Sequence, residues 1–283
     1  MTLGAADERA HTPGSASWWE TWHLDAANED GVGVSVRLAC APTLGVAWWW
    51  THLFLPGVAG PVVVRDHEVG LPRQGLEVRA DGLWGELICE SPFEHWTYGL
   101  EAFGVRLDDP ADSLRGEIGE RVAVGLDIEW EVSDPPDAAH EYPAAAELPG
   151  YEQFGRVHGE ILLDRSTIEL DAVGMRSHTW GTPRYDSTAR SAWFHSASGS
   201  ESIADVVTTT RRRADGLPIG ARYVVSDELA VDAEVVGLVT IPLVGPNGEA
   251  AVLARGLCRY AIERDRDRGS SRGIGWSTWL DPA

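Results

Sequence analysis

Leu76–Cys89 reads LEVRADGLWGELIC: two short runs rich in apolar residues, joined at Asp81-Gly82. Asp-Gly accepts the positive φ values of a tight hairpin turn, so the stretch predicts two antiparallel strands. Working outward, Val32–Cys40 (VGVSVRLAC), Val46–Leu55 (VAWWWTHLFL) and the run Pro61–Val69 precede it, and Tyr98–Leu107 and Arg121–Val132 follow. The pattern resumes at Phe154–Leu163, Thr167–Met175, Ser191–His195, Ile203–Thr209, Ala221–Val225, Leu229–Pro242, Ala250–Glu263 and Gly275–Leu280. Short strands punctuated by turn residues predict a mostly β protein of antiparallel sheets or barrels, without alternating crossover helices.

Ser133–Gly150 (SDPPDAAHEYPAAAELPG) interrupts the series with four prolines. Proline lacks the N–H that a sheet or a helix interior needs, so no long element is expected there. The chain accordingly divides into two strand-rich domains in tandem, residues 1–136 and 150–283, with 137–149 as linker.

Composition narrows the function. The 283 residues carry 44 Asp plus Glu against 23 basic side chains, all of them Arg, for a net charge of −21. Without lysine there is no Schiff base and no phosphate-loop lysine. The average field repels polyanions, so neither nucleic acid nor an anionic membrane surface is an expected partner. No run approaches the roughly 20 apolar residues of a membrane helix, which argues against integral membrane association. The N-terminus lacks the basic start and apolar stretch of a secretory signal, so the expected location is cytoplasmic. Cys40, Cys89 and Cys258 are widely spaced and read as buried free thiols. The nine His form no HExxH and there is no Cys-x-x-Cys, so neither a metal nor a cofactor is expected. Thirteen Trp exceed the needs of an ordinary core; they suit apolar pockets or a homodimer interface.

Four clusters combine aromatic and titratable groups. In Asp171–Gly181 (DAVGMRSHTWG), an extended chain puts His178 and Trp180 on one face, with Arg176 before them and Tyr185 after. Glu90–Tyr98 (ESPFEHWTY) offers Glu94 as an acid beside His95 and Trp96. A carboxyl enclosed by aromatic rings stays protonated and is a suitable proton donor. Trp18–His23 contains Trp22, and in Trp48–His52 alternation aligns Trp50 with His52. Each cluster equally suits sheet packing or a structural corner.

Three segments, WWETWHLD (Trp18–Asp25), CESPFEHW (Cys89–Trp96) and GMRSHTWG (Gly174–Gly181), resemble the carotenoid 1,2-hydratase-like superfamily, which includes tocopherol cyclases and fungal Diels–Alderases. The resemblance implies two lipocalin-like β domains packed together, with a ligand cavity in one or between them. It implies cofactor-free chemistry, in which an acid protonates an isoprenoid double bond and water captures the cation. The family's His-x-Trp pair matches His178 and Trp180. Its downstream Tyr-x-Asp falls at Ile203-Ala204-Asp205, making Asp205 the implied acid with Ile203 in place of Tyr. The expected function is a cofactor-independent hydratase or cyclase on an apolar isoprenoid or polyketide-like substrate. Catalysis would fall to Asp205, His178, Trp180 and Glu94, and substrate contact to Trp22, Trp50, His52, His95, Trp96, Arg176 and Tyr185. A Diels–Alderase-like pericyclic cyclase and a non-catalytic carrier of an apolar small molecule are the alternatives.

Overall fold

The computed structural model describes residues 3–116, 118–133, 140–141, 148–204, 206–245, 248–264 and 270–283. Two antiparallel sheets account for most of them. The first holds β1 (Trp19–Ala27), β2 (Gly33–Ala41), β3 (Val46–Phe54), β4 (Val62–Gly70), β5 (Leu76–Ala80) and β6 (Leu83–Ser91). It continues with β7 (His95–Leu107), β8 (Gly119–Val132), β9 (His140–Glu141), β10 (Gly150–Leu163) and β11 (Ser166–Gly181). The second holds β12 (Ala189–Ser196), β13 (Gly199–Ala204), β14 (Val207–Arg212), β15 (Pro218–Ser226), β16 (Leu229–Val244), β17 (Ala250–Arg264) and β18 (Ser270–Pro282). The β5–β6 hairpin forms as its sequence predicts, with Ala80 opposite Leu83 and Gly82 at φ +77°.

The first sheet closes on itself. Its order runs β4-β3-β2-β1-β11-β10-β8-β7, and β4 bonds back to β7 at Val62↔Arg106 and Val63↔Val105. β4 thus joins the end of β7 that β6 leaves uncovered. The second sheet has the order β13-β12-β18-β17-β16-β15-β14. The fold is therefore the expected double lipocalin-like arrangement of β domains in tandem.

Its dividing line differs from the proline-rich break. β10 and β11 lie C-terminal to residues 137–149, yet they pair with β8 and β1 in the first sheet. Without them the ring could not close, so hydrogen-bond satisfaction places the division between Gly181 and Ala189. Within 137–149, His140–Glu141 pairs with β10; residues 137–139 and 142–147 lie outside the described residues. The run Ile203–Thr209 is also not one strand, because β13 and β14 stand at opposite ends of the second sheet.

β1, β10 and β11 form the wall shared by the two sheets. All nine residues of β1 are buried, because one face fills the barrel and the other lies against the second sheet. Trp22, Leu24 and Ala26 join Leu38, Trp49, Trp96 and Trp130 in the barrel core. On the outer face, Ala27 and Met175 pack with Phe54, Trp193, Leu257 and Trp276. Gly155 on β10 leaves no room for a side chain: a Cβ there would run into the Glu131 carbonyl oxygen and lie 2.5 Å from the Trp130 indole. Gly155→Ala is expected to cost roughly 1–3 kcal/mol by overpacking, read as a lower urea midpoint. An unchanged midpoint would mean that the Glu131 backbone and Trp130 shift together at little cost.

The cysteines are free thiols, as expected. Burial pushes Cys40 and Cys258 up to about 12, which leaves them inert. No helix among the described residues is long and apolar enough to cross a membrane.

Candidate active site

Strand alternation on the shared wall sends two polar clusters to opposite faces. The barrel-side cluster contains His178, which is fully buried. Its Nδ1 lies 2.9 Å from the Asp7 carbonyl and its Nε2 2.9 Å from Glu20 Oε1. Trp22 stacks on its ring at 4.6 Å, and His11 stacks on Trp180 at 3.9 Å. Burial lowers the His178 pKa, and the neighbouring Glu20 opposes but does not overcome this. Arg176, two residues back, stands 4.8 Å over Trp130, 5.2 Å over Tyr151 and 5.3 Å over Trp96. It pairs with Glu8 of the short 3-10 turn Ala5–Glu8 (Nη1 to Oε2, 3.1 Å) and bonds Gln153. Glu8 also accepts from the Tyr151 hydroxyl and, at 2.6 Å, from the Phe93 N–H. The segment before β1 thus covers His178, Trp180 and Arg176 with its own side chains.

The opposite face carries the second cluster. Asp25 on β1 is buried against Arg255 on β17, and the Trp193 N–H donates to its Oδ2 at 3.1 Å. His23 Nε2 lies 2.9 Å from Asp25 Oδ1, which receives no aligned hydrogen bond. Burial raises the Asp25 carboxyl, but Arg255, His23 and Trp193 together outweigh it and hold the group well below the usual carboxylate range. Glu152 on β10 experiences the reverse. It is 6% exposed and accepts from the Ser202 hydroxyl at 2.8 Å. Burial, aided by the Asp25 charge and opposed by Ser202, pushes it up to about 7.

Both carboxylates line one cavity with His23, Trp193, Trp276 and Arg255. The cavity has about 400 Å³ of unfilled space, mouth included, but only about 30 Å³ in which a water's centre fits. At roughly 10–15 Å³ per water that is room for about two. A larger groove of about 490 Å³ lies elsewhere between the sheets, lined by Phe54, Leu55, Pro61, Ile219 and Leu257 among others.

The structure gathers Trp22, Trp96, Arg176, His178 and Trp180 on the barrel side. It does not bring the other candidates to them. Glu94 is exposed and accepts from Ser91 Oγ at 2.6 Å, so it lacks the apolar enclosure expected of it. His95 sits beside it near the surface, 2.8 Å from Glu129. Trp50 and Tyr185 belong to a separate apolar cluster with Leu243 and Leu253. His52 is buried, and neither ring nitrogen has a hydrogen-bond partner. Asp205 lies outside the described residues, although Ile203 and Ala204 line the cavity holding Glu152.

Sequence reasoning missed Asp25, Glu152 and Arg255 as a set. One signal was present: Arg255 stands alone in the apolar run Leu253–Cys258 (LARGLC). A guanidinium in a buried strand requires a carboxylate opposite.

Residues 4–202 match the profile of a family described as a domain of unknown function (DUF7064). The chain belongs to that family. The match takes in the whole barrel wall of this DUF7064 member and the β12–β13 hairpin as far as Ser202, which bounds the Glu152 cavity. No curated protein sequence matches it. Among solved structures it is similar to CghA, at a TM-score of 0.57 and 10% identity over 96% of this chain and 93% of that one. CghA is also known in complex with Sch210972. Kievitone hydratase from Nectria haematococca is similar at a TM-score of 0.53 and 10% identity, over 95% and 90% of the respective chains. At such identity the likeness is one of fold.

Proposed function

We propose that this chain is a cofactor-independent hydratase or cyclase that protonates an alkene of an apolar substrate in the cavity between its two sheets. The observation that carries this reading is the divergent pair of carboxyls: Glu152 raised to about 7 and Asp25 held ionised, in one cavity with Trp193 and Trp276. Two carboxyls driven apart in this way divide the labour between acid and charge stabiliser. Ser202 bonds Oε2 of Glu152, which leaves Oε1 to bear the proton. Protonation at one alkene carbon places positive charge on the next. The indole faces and the Asp25 carboxylate favour that charge. Water attack, or attack by a second double bond, completes hydration or cyclisation, and the released proton restores Glu152.

This reading moves the acid from Asp205 and Glu94 to Glu152, and leaves His178 and Trp180 as supports on the far face of the same strands. The fold shared with kievitone hydratase and CghA is compatible with it. Because the cavity has room for water but little more, substrate entry must part the Ser202–Glu152 contact between β13 and β10. Turnover of a polyene panel in D2O is the test. Deuterium at carbon in the product supports protonation, whereas product without deuterium points to pericyclic closure.

The larger apolar groove favours a second reading, a non-catalytic carrier, since its volume lies within the range of small-molecule sites. That reading expects the ligand to be recovered unchanged after long incubation and to bind equally to Glu152→Gln.

A further inference from the structure

His11, Glu20 and His178 present Nδ1, Oε1 and Nε2 to one another on the barrel side of the wall. The His11 and Glu20 atoms are 2.7 Å apart, and the Glu20 and His178 atoms 2.9 Å. The three ligand-capable atoms lie within 4.8 Å of one another, and Glu20 and His178 are buried.

One tautomer of each ring turns both free nitrogens toward Glu20. With His178 Nδ1–H donating to the Asp7 carbonyl, its Nε2 lone pair is free. With the His11 proton on Nε2, 3.5 Å from the Asp7 carboxylate, its Nδ1 lone pair is free as well. Both then converge with Glu20 Oε1, and each ligating imidazole keeps the oxygen partner on its other nitrogen that metal-bound histidines regularly have. We propose that His11, Glu20 and His178 bind one divalent first-row transition cation, which fastens the segment before β1 to the barrel wall. Two imidazoles and one carboxylate suit zinc or ferrous iron, and not calcium or magnesium. Metal–ligand distances of roughly 2.0–2.1 Å set tetrahedral ligand atoms roughly 3.3 Å apart. The side chains need to spread by only about half an ångström. The stacking of His11 on Trp180 and of Trp22 on His178 holds both rings in orientation for it.

The cation would lie on the face of the wall opposite Glu152, so it is a clasp and not part of the proposed proton transfer. The test uses full-length protein stripped with EDTA and titrated with Zn2+ by calorimetry and with Co2+ by absorption. One equivalent should bind, with the visible d–d bands of a low-coordinate Co2+ site. His11→Ala, on a segment outside the sheets, should weaken binding more than about 100-fold, and Asp7→Ala about 10-fold, as expected for a group behind a ligand. Zn2+ should raise the Tm of the parent and leave that of His11→Ala unchanged. A second group, His95 with Glu129 and Glu131, lies near the surface and supplies the control. Binding that disappears in His95→Ala but persists in His11→Ala would overturn the proposal. So would the absence of stoichiometric binding to the parent protein.

Discussion

Glu152→Gln is expected to abolish turnover and, at the same time, to stabilise the protein above neutral pH. The carboxyl titrates at about 7 in the fold against an ordinary value of 4.5. A raised carboxyl means that the native state binds its proton more tightly than the unfolded chain. Stability attributable to this group is complete below about 4.5 and is lost as pH rises through 7. A difference of about 2.5 units corresponds to about 3 kcal/mol at pH 8, an upper-end figure for one group. Gln keeps an acceptor for Ser202 and carries no charge, so the variant should escape that loss. Urea unfolding at pH 5 and pH 8 reads the effect: the gain should appear at pH 8 and fade at pH 5. Removing a positioned acid typically costs 10²–10⁴ in rate, and wild-type activity should fall as pH rises above about 7. A Gln variant with full activity would remove Glu152 from the mechanism. A Gln variant without the high-pH gain would mean that the carboxyl is better solvated than its burial indicates.

Glu8→Ala carries the second large effect. Arg176 is 2% exposed among Trp96, Trp130 and Tyr151, and Glu8 is its only carboxylate partner among the described residues. Cation–π contact does not replace a counter-ion. Deleting one member of a buried pair typically costs about 3–5 kcal/mol, because the other charge stays desolvated. Tyr151 and the Phe93 N–H lose their acceptor in the same step. The double variant Glu8→Leu with Arg176→Met should recover most of the loss, since a buried pair replaced by apolar groups is often neutral. If Glu8→Ala unfolds at the wild-type urea concentration, Arg176 has found another anion or water, and the N-terminal segment is not part of the barrel's stability.

The strand pattern was legible wherever one face of a strand meets solvent. β5 and β6 flank an Asp-Gly turn and appear in the structure where the sequence places them. β1 was not legible as a strand: buried on both faces, it shows no alternation, and Trp19–Ala27 reads as a chemical cluster. The proline-rich stretch falls inside the first sheet, because prolines report where pairing is locally impossible, not where the ring closes. His178 and Trp180 were recognisable from local spacing. Asp25, Glu152 and Arg255 come from β1, β10 and β17, and no spacing within one segment relates them. Glu8 gave no signal, since an acid in a polar N-terminal stretch looks like any solvated residue until Arg176 is placed beneath it.

The pairing of β1 with β11 has a consequence for the order of assembly. Trp19 lies opposite Gly181, and Glu8 and His11 dock on residues 151–180. β1 and the segment before it therefore wait for about 150 residues of synthesis before their partners exist. Contacts of such sequence separation make folding slow. Until then β1 is an open edge of the β4-β3-β2-β1 sheet, a template for pairing with another chain. Clearance of aggregates during expression should depend on how quickly β10 and β11 are made, and hardly at all on the stability of the second sheet.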